Sequence, residues 1–322
     1  MLLDQIFTSI LWNELIQMML NLMCFIIMII FSLVGVAFIT LLERKVLGFI
    51  QIRLGPEKVG TLGILQPLSD AIKLYSKEIN NPSLSNFLIY LMCPMMSLIY
   101  SLICWLTLPY QESLISFPLS FLFFMSILGT GTYMIMFSGW ASNSQFSLLG
   151  SMRSVAQTIS YEVTLLFIII SLMMLNQSLN IFQFIFLQKY TWFCLLLPLF
   201  FMWLSICLAE LNRTPFDFSE GESELVSGFN TEYSGGPFAL IFMAEYSMII
   251  FLSIITSIMF LGSNFFSILF FFMSLIMMFF FIWIRATLPR FRYDKLMDMT
   301  WKVFLPSSLN LTGFILAVSL IL

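Results

Sequence analysis

Three carboxylates, Glu162, Glu210 and Glu245, stand inside stretches so apolar that they read as membrane-crossing helices. Between the last two lies a loop, NRTPFDFSEGESELVSGFNTE, that adds Asp217, Glu220, Glu222, Glu224 and Glu232 against the single base Arg213. Arg153 stands near the mouth of the span that holds Glu162. A charge at the centre of a bilayer helix costs roughly 2.5–3.5 kcal/mol on insertion scales, so acids in three separate helices imply a use. Like charges in low dielectric cannot all ionise, and such a row holds fewer charges than sites. That arrangement suits a proton relay or a chargeable switch. The alternative is a set of satisfied ion pairs: Glu162 with Arg153, Glu210 with Arg213, and Glu245 hydrogen-bonded to a tyrosine.

The elements that must hold these acids follow from hydrophobicity. The chain has 322 residues, 60% hydrophobic and only 10% charged, against about a quarter charged in soluble domains. Apolar runs long enough for about 30 Å of hydrocarbon fall near 15–42, 84–108, 117–139, 157–176, 191–212, 237–261, 264–284 and 303–322. The expected fold is therefore all-α, one transmembrane domain over 1–322 with eight spanning helices. Glu245 then lies about 12 Å into its span and Glu162 about 8 Å, on a rise of 1.5 Å per residue. Glu210 sits two residues before the end of its span, so all three face the half of the membrane near the acidic loop. Pro94 and Pro198 are expected to kink their spans, and Gly129 and Gly131 to permit close helix approach.

With eight crossings, the loops about 43–83, 140–156, 213–236 and 285–302 share one side. They and the adjoining helix ends carry thirteen of the fourteen Lys and Arg residues, leaving Lys189 alone opposite. The positive-inside rule puts that basic side in the cytoplasm or a mitochondrial matrix. Within the first loop, SDAIKLYSKE alternates apolar and charged residues at helical spacing, which predicts a short amphipathic surface helix capped by Ser69. The opening MLLDQIFTSILWNEL has two acids and no base, unlike a presequence or a signal peptide; the chain is expected either to be inserted by its own first helix or to be made where it resides.

Several chemistries are disfavoured. There is no histidine, and the five cysteines are dispersed without C-x-x-C spacing, so zinc, haem or iron–sulfur ligation is not expected. No glycine-rich phosphate loop, Ser–His or Cys–His pair, or nucleic-acid-binding patch is present. A stand-alone ion-coupled transporter would also explain buried acids, but such folds show repeat symmetry, and no internal repeat is evident.

Several stretches together resemble the subunit 1 family of NADH:ubiquinone oxidoreductase, respiratory complex I, in its mitochondrially encoded form. They are LLERKVLGFIQIRLGP, GILQPLSDAIKL, SNSQFSLLGSMRSVAQTISYE, AELNRTPFDFSEGESELVSGFNTEYSGGPFAL, FMAEY and RATLPRFRYDKLMDMTWK, in family order across most of 35–302. The Phe- and Met-rich composition resembles that of arthropod mitochondrial proteins. The resemblance implies an eight-helix subunit of the mitochondrial inner membrane, basic loops toward the matrix and both termini toward the intermembrane space. It implies Arg44, Arg53, Asp70 and Phe242 at a ubiquinone channel and its entrance. Glu162, Glu210, Asp217, Glu220, Glu222, Glu224, Glu232 and Glu245 would form an acidic path, with Arg153 and Arg213 balancing charge. Ubiquinone would be substrate, with NADH, FMN and iron–sulfur clusters held by partner subunits. The expected partners are peripheral-arm quinone-site subunits, small membrane-arm subunits and lipid. Glu57 departs from the family's usual Asn and Phe49 from its usual Tyr. The segment before the first span is longer than usual, which would place the start downstream of Met1.

Overall fold

The computed structural model describes residues 2–110, 117–188, 196–221, 225–262, 264–265 and 267–321, with side chains described from residue 16 onward and that of residue 187 left out. Among them there are helices and turns but no strand. In order they are α1 (Leu2–Ile50), α2 (Gln66–Ser76), α3 (Phe87–Cys104), α4 (Ser120–Ala141), α5 (Gln145–Asn176), α6 (Ile181–Leu187), α7 (Leu197–Glu210), α8 (Gly235–Phe260), α9 (Ile268–Thr287) and α10 (Tyr293–Ile321). Seven are long and apolar enough to cross a membrane, and α7 is a shorter apolar helix. Those eight correspond to the eight expected spans.

Several bounds differ from expectation, each for a physical reason. Helix α5 starts at Gln145, so most of the expected 140–156 loop is its first three turns. Those turns are polar because they pack inward on small side chains: Ser147, Gly150, Ser151 and Ser154 are all buried. Helix α10 begins at Tyr293, and its charged first turns run into the apolar part through a π-helical stretch at Met299–Phe304. Pro198 stands in the first turn of α7, where its missing N–H costs nothing, while Pro94 is inside α3. The amphipathic helix of the first loop is α2. Its start is set by Pro67 in the first turn, and Ser69 hydrogen-bonds back to the Gln66 carbonyl at 2.8 Å instead of capping.

Helix α8 occupies the centre, against α1, α2, α3 and α9, while α5 packs on α4, α7 and α10. The main core runs through Leu165, Ile168, Trp203, Phe251 and Phe260, and a small satellite core gathers Tyr90, Ala141, Phe229, Tyr233 and Ile241. Lipid removes most of the hydrophobic drive between spanning helices, so close approach at small residues carries the packing. A β-carbon on Gly139 of α4 would sit 2.3 Å from Ser151 Oγ of α5, and one on Gly150 only 3.0 Å from the Gly228 backbone.

Helix α1 needs its own account. Its outer face from Ile16 to Phe38 is largely exposed apolar surface, fit for lipid. Its inner stripe is Ser32, Val36, Ile39 and Glu43, all buried and spaced four, three and four residues apart. That period keeps one face of a helix inward. It carries a carboxylate into the bundle.

Candidate functional site

Glu43 is the hub of a buried ionic cluster. Arg285, in the last turn of α9, donates to Glu43 Oε1, and the Tyr246 hydroxyl donates to Glu43 Oε2 at 2.5 Å. Arg213, just past α7, lies 3.7 Å from Glu43 and 3.8 Å from Glu245. Its guanidinium also stands over the Tyr246 ring, 4.5 Å from the centroid. Burial alone would disfavour the Arg213 charge. Tyr246, Glu245, Glu43 and Glu220 outweigh that and hold it protonated, with its pKa raised above the ordinary value.

The loop extends the cluster outward. Arg290 pairs with Asp217 at 3.2 Å, and Asp217 Oδ1 accepts the Glu220 N–H at 3.3 Å. Asn230 Nδ2 donates to Glu220 Oε1 at 3.2 Å. Burial raises the Asp217 pKa despite the opposing Arg290. For Glu220 burial acts first and repulsion by Asp217 second, and its pKa is raised as well. Glu220 and Asp217 in turn repel Glu245. Gln157 of α5 anchors the base of the loop by donating to the Ala209 and Phe216 carbonyls at 2.8 and 2.9 Å.

Inside the bundle a cavity of about 120 Å³ is walled by Glu210, Glu245, Thr132, Thr158, Asn212 and Cys104, among others. A single water needs roughly 10–15 Å³ and two or more polar partners, so the space and its lining can hold several. Glu162 lies close enough to Glu210 for mutual repulsion. Among the described residues, Glu162 Oε1 and Glu210 Oε2 are buried without a hydrogen-bond partner. Gly129 and Gly131 of α4 border this region: a β-carbon on Gly129 would lie 3.8 Å from Glu162 Oε2 on the neighbouring α5, and Gly131 lines the cavity.

The structure therefore brings together Glu245, Arg213, Asp217 and Glu220, and sets Glu210 on the cavity wall with Glu162 near it. The ion-pair alternative fails for two of its pairs. Arg153 and Glu162 share the continuous helix α5; nine residues apart they differ by about 13 Å in height and face opposite ways. Arg213 turns to Glu43 and Glu245, and the tyrosine beside Glu245 bonds Glu43. Glu232 contributes its backbone carbonyl, to Tyr90 at 2.7 Å. Glu222 and Glu224 lie outside the described residues. Of the other group, Arg44 pairs with Asp70 at 2.5 Å, tying α1 to α2. Phe242 packs on Phe238 and Tyr246, with centroids 4.4 and 6.4 Å away. Arg53 is exposed beyond the end of α1. Sequence reasoning missed Glu43, Tyr246, Arg285 and Arg290. The inward stripe of α1 is the signal that points to Glu43.

Fold and site together define a polytopic helical membrane protein that keeps a connected set of ionisable side chains within its bundle. Residues 23–316 match the family model described as NADH dehydrogenase, and the chain belongs to that family. It is 56% identical over 303 residues to NADH-ubiquinone oxidoreductase chain 1 of Aedes aegypti, covering 94% of this chain and 97% of the relative. The protein of the same name from Locusta migratoria is 54% identical over 92% of this chain and 94% of its own. That of Zaedyus pichiy is 47% identical over 91% and 94%.

Proposed function

We propose that this chain is the core membrane subunit of a proton-pumping NADH:ubiquinone oxidoreductase, lining part of the ubiquinone channel and coupling quinone reduction to proton translocation. The relatives' shared name and their near full-length coverage support the enzyme. One observation carries the coupling. Glu245 lines the cavity beside Glu210 and, through Arg213, joins Glu43 and the Glu220 loop, so loop and bundle interior share one electrostatic network.

NADH, FMN and iron–sulfur clusters belong to partner subunits in this reading, and the chain acts on the quinone they reduce. Quinone reduction takes up two electrons and two protons. Quinone enters beside α1 and its head group moves past the Arg44–Asp70 pair and Phe242 toward the partners. The charge change shifts protonation and order around Glu220, with Glu222 and Glu224 in the same loop, and Glu245, Glu210 and Glu162 pass it into the membrane arm. A coupling of this kind needs a two-state element, here the 213–236 loop. The chain sits in the mitochondrial inner membrane with its basic loops toward the matrix, in contact with peripheral-arm and small membrane-arm subunits.

The test replaces Glu162 or Glu210 by Gln in the assembled complex. NADH:ubiquinone turnover should fall on the order of a hundredfold, the scale of a lost acid–base group, while NADH oxidation by ferricyanide stays normal. Normal proton-coupled turnover in both variants would overturn the proposal.

A further inference from the structure

Tyr90 and Tyr233 meet in the satellite core. Their rings stack with centroids 4.3 Å apart and planes 5° from parallel, both buried. The Tyr90 hydroxyl donates to the Glu232 carbonyl at 2.7 Å, and the Tyr233 hydroxyl donates to the Ser138 carbonyl of α4 at 3.3 Å. Phenylalanines would fill the same volume. Two buried phenols, each bonded to backbone, instead fix where the loop segment can lie.

That segment leads straight to an acid. The Tyr233 N–H donates to the Asn230 carbonyl at 3.1 Å, and the Asn230 side chain holds Glu220. A hard stop backs it. Gly228 has φ +58°, and a β-carbon there would meet the Ser219 carbonyl at 1.7 Å, so the turn accepts nothing but glycine. On the other side the same segment binds the connection leaving α2. The Asn80 N–H donates to Ser234 Oγ at 3.0 Å, and the Asn80 carbonyl lies 3.3 Å from the Tyr90 hydroxyl. Helix α2 carries Asp70, paired with Arg44.

We infer that Tyr90 and Tyr233 form a latch that sets the position of Glu220 against Arg213 and Glu245 and ties it to the α2–α3 connection. The pair are positioning residues for the coupling proposed above, and the inference rests on that reading. The latch also closes one wall of the cavity: Ser138, Phe229 and Ile241 belong to that wall, as does buried Cys93, three residues beyond Tyr90 on α3.

The experiment uses the assembled complex with Tyr90→Phe, Tyr233→Phe and the double replacement, each keeping ring and volume. Three readouts are taken: kcat and KM with decylubiquinone, ferricyanide reduction, and the rate of Cys93 alkylation by N-ethylmaleimide, mapped by mass spectrometry. Losing a buried hydrogen bond should lower kcat about tenfold in the double variant and speed Cys93 alkylation by a similar factor. KM should stay within about twofold, and ferricyanide reduction should not change. Unchanged alkylation overturns the latch whatever turnover does. A loss of kcat/KM carried by KM alone also overturns it, because it would place the tyrosines at the quinone. Should Glu162→Gln and Glu210→Gln both leave turnover normal, the functional reading falls, while faster alkylation in the phenylalanine variants still supports the latch.

Discussion

Replacing Glu43 by Gln removes one charge from the hub and nothing from its volume. The Glu43 side chain is 7% exposed, Arg213 11% and Arg285 36%. Breaking a buried ion pair from one side costs about 3–5 kcal/mol, because the partner is left charged and unpaired. The two arginines do not suffer equally. Arg285 is more than a third exposed and can be hydrated, so its share is discounted to that of a surface pair. Among the described residues Arg213 keeps Glu245, 3.8 Å away, as its one ion-pair partner, with Tyr246 and the more distant Glu220 beside it, and it carries the penalty. The total is about 3 kcal/mol, at the low end of the range, or roughly a hundredfold in an equilibrium constant. In a membrane complex this is read as a rate of thermal inactivation. Quinone reductase activity should decay faster in the Gln variant, and its turnover should fall, while Glu43→Asp recovers most of both. A Gln variant that inactivates and turns over like the parent would refute the assignment of Glu43 as hub.

Two further outcomes follow from the geometry. Glu220 has a raised pKa, so its ionisation costs stability. The contribution of the protonated form is complete below the ordinary value of 4.5 and is lost as pH rises through the raised one. Glu220→Gln should therefore gain thermal stability over the parent, with a gap that widens as pH rises from the ordinary value of 4.5 through the raised one; a constant or shrinking gap would contradict the burial argument. At Gly129, alanine meets Glu162 at an ordinary 3.8 Å and should be tolerated. Valine pushes methyls into the carboxylate, at a cost of about 1–3 kcal/mol, and quinone turnover should drop as in Glu162→Gln. Parent-like turnover in the valine variant would show that Glu162 does not face Gly129.

Hydrophobic runs were enough to count the crossings, and the alternation in SDAIKLYSKE was enough to place α2. The limits of that reading are specific. At Glu43 the apolar run ends one residue earlier, so a length criterion assigns it to the loop. The stripe Ser32, Val36, Ile39, Glu43 points it inward. Arg285 and Arg290 sit where topology-setting bases also sit, and only the neighbouring helices tell the two roles apart. The start of α5 was hidden because small polar residues lower hydropathy whether they face solvent or another helix. Gly129 reads as a packing glycine until the carboxylate opposite it is seen.

The charges of the central group explain why Arg213 is the pivotal residue in the reading proposed here. Glu43, Asp217, Glu220 and Glu245 face Arg213, Arg285 and Arg290. Four acids against three bases leave one carboxylate without compensation, and one proton balances the set. Arg290 is committed to Asp217 and Arg285 to Glu43, so neither can follow a proton inward. Arg213 stands 3.7 Å from Glu43 and 3.8 Å from Glu245, nearly equidistant. A small displacement decides which of the two it compensates. One of them belongs to helix α1, beside which quinone is proposed to enter, and the other lines the cavity with Glu210, so a proton arriving on either side changes the field felt by the other.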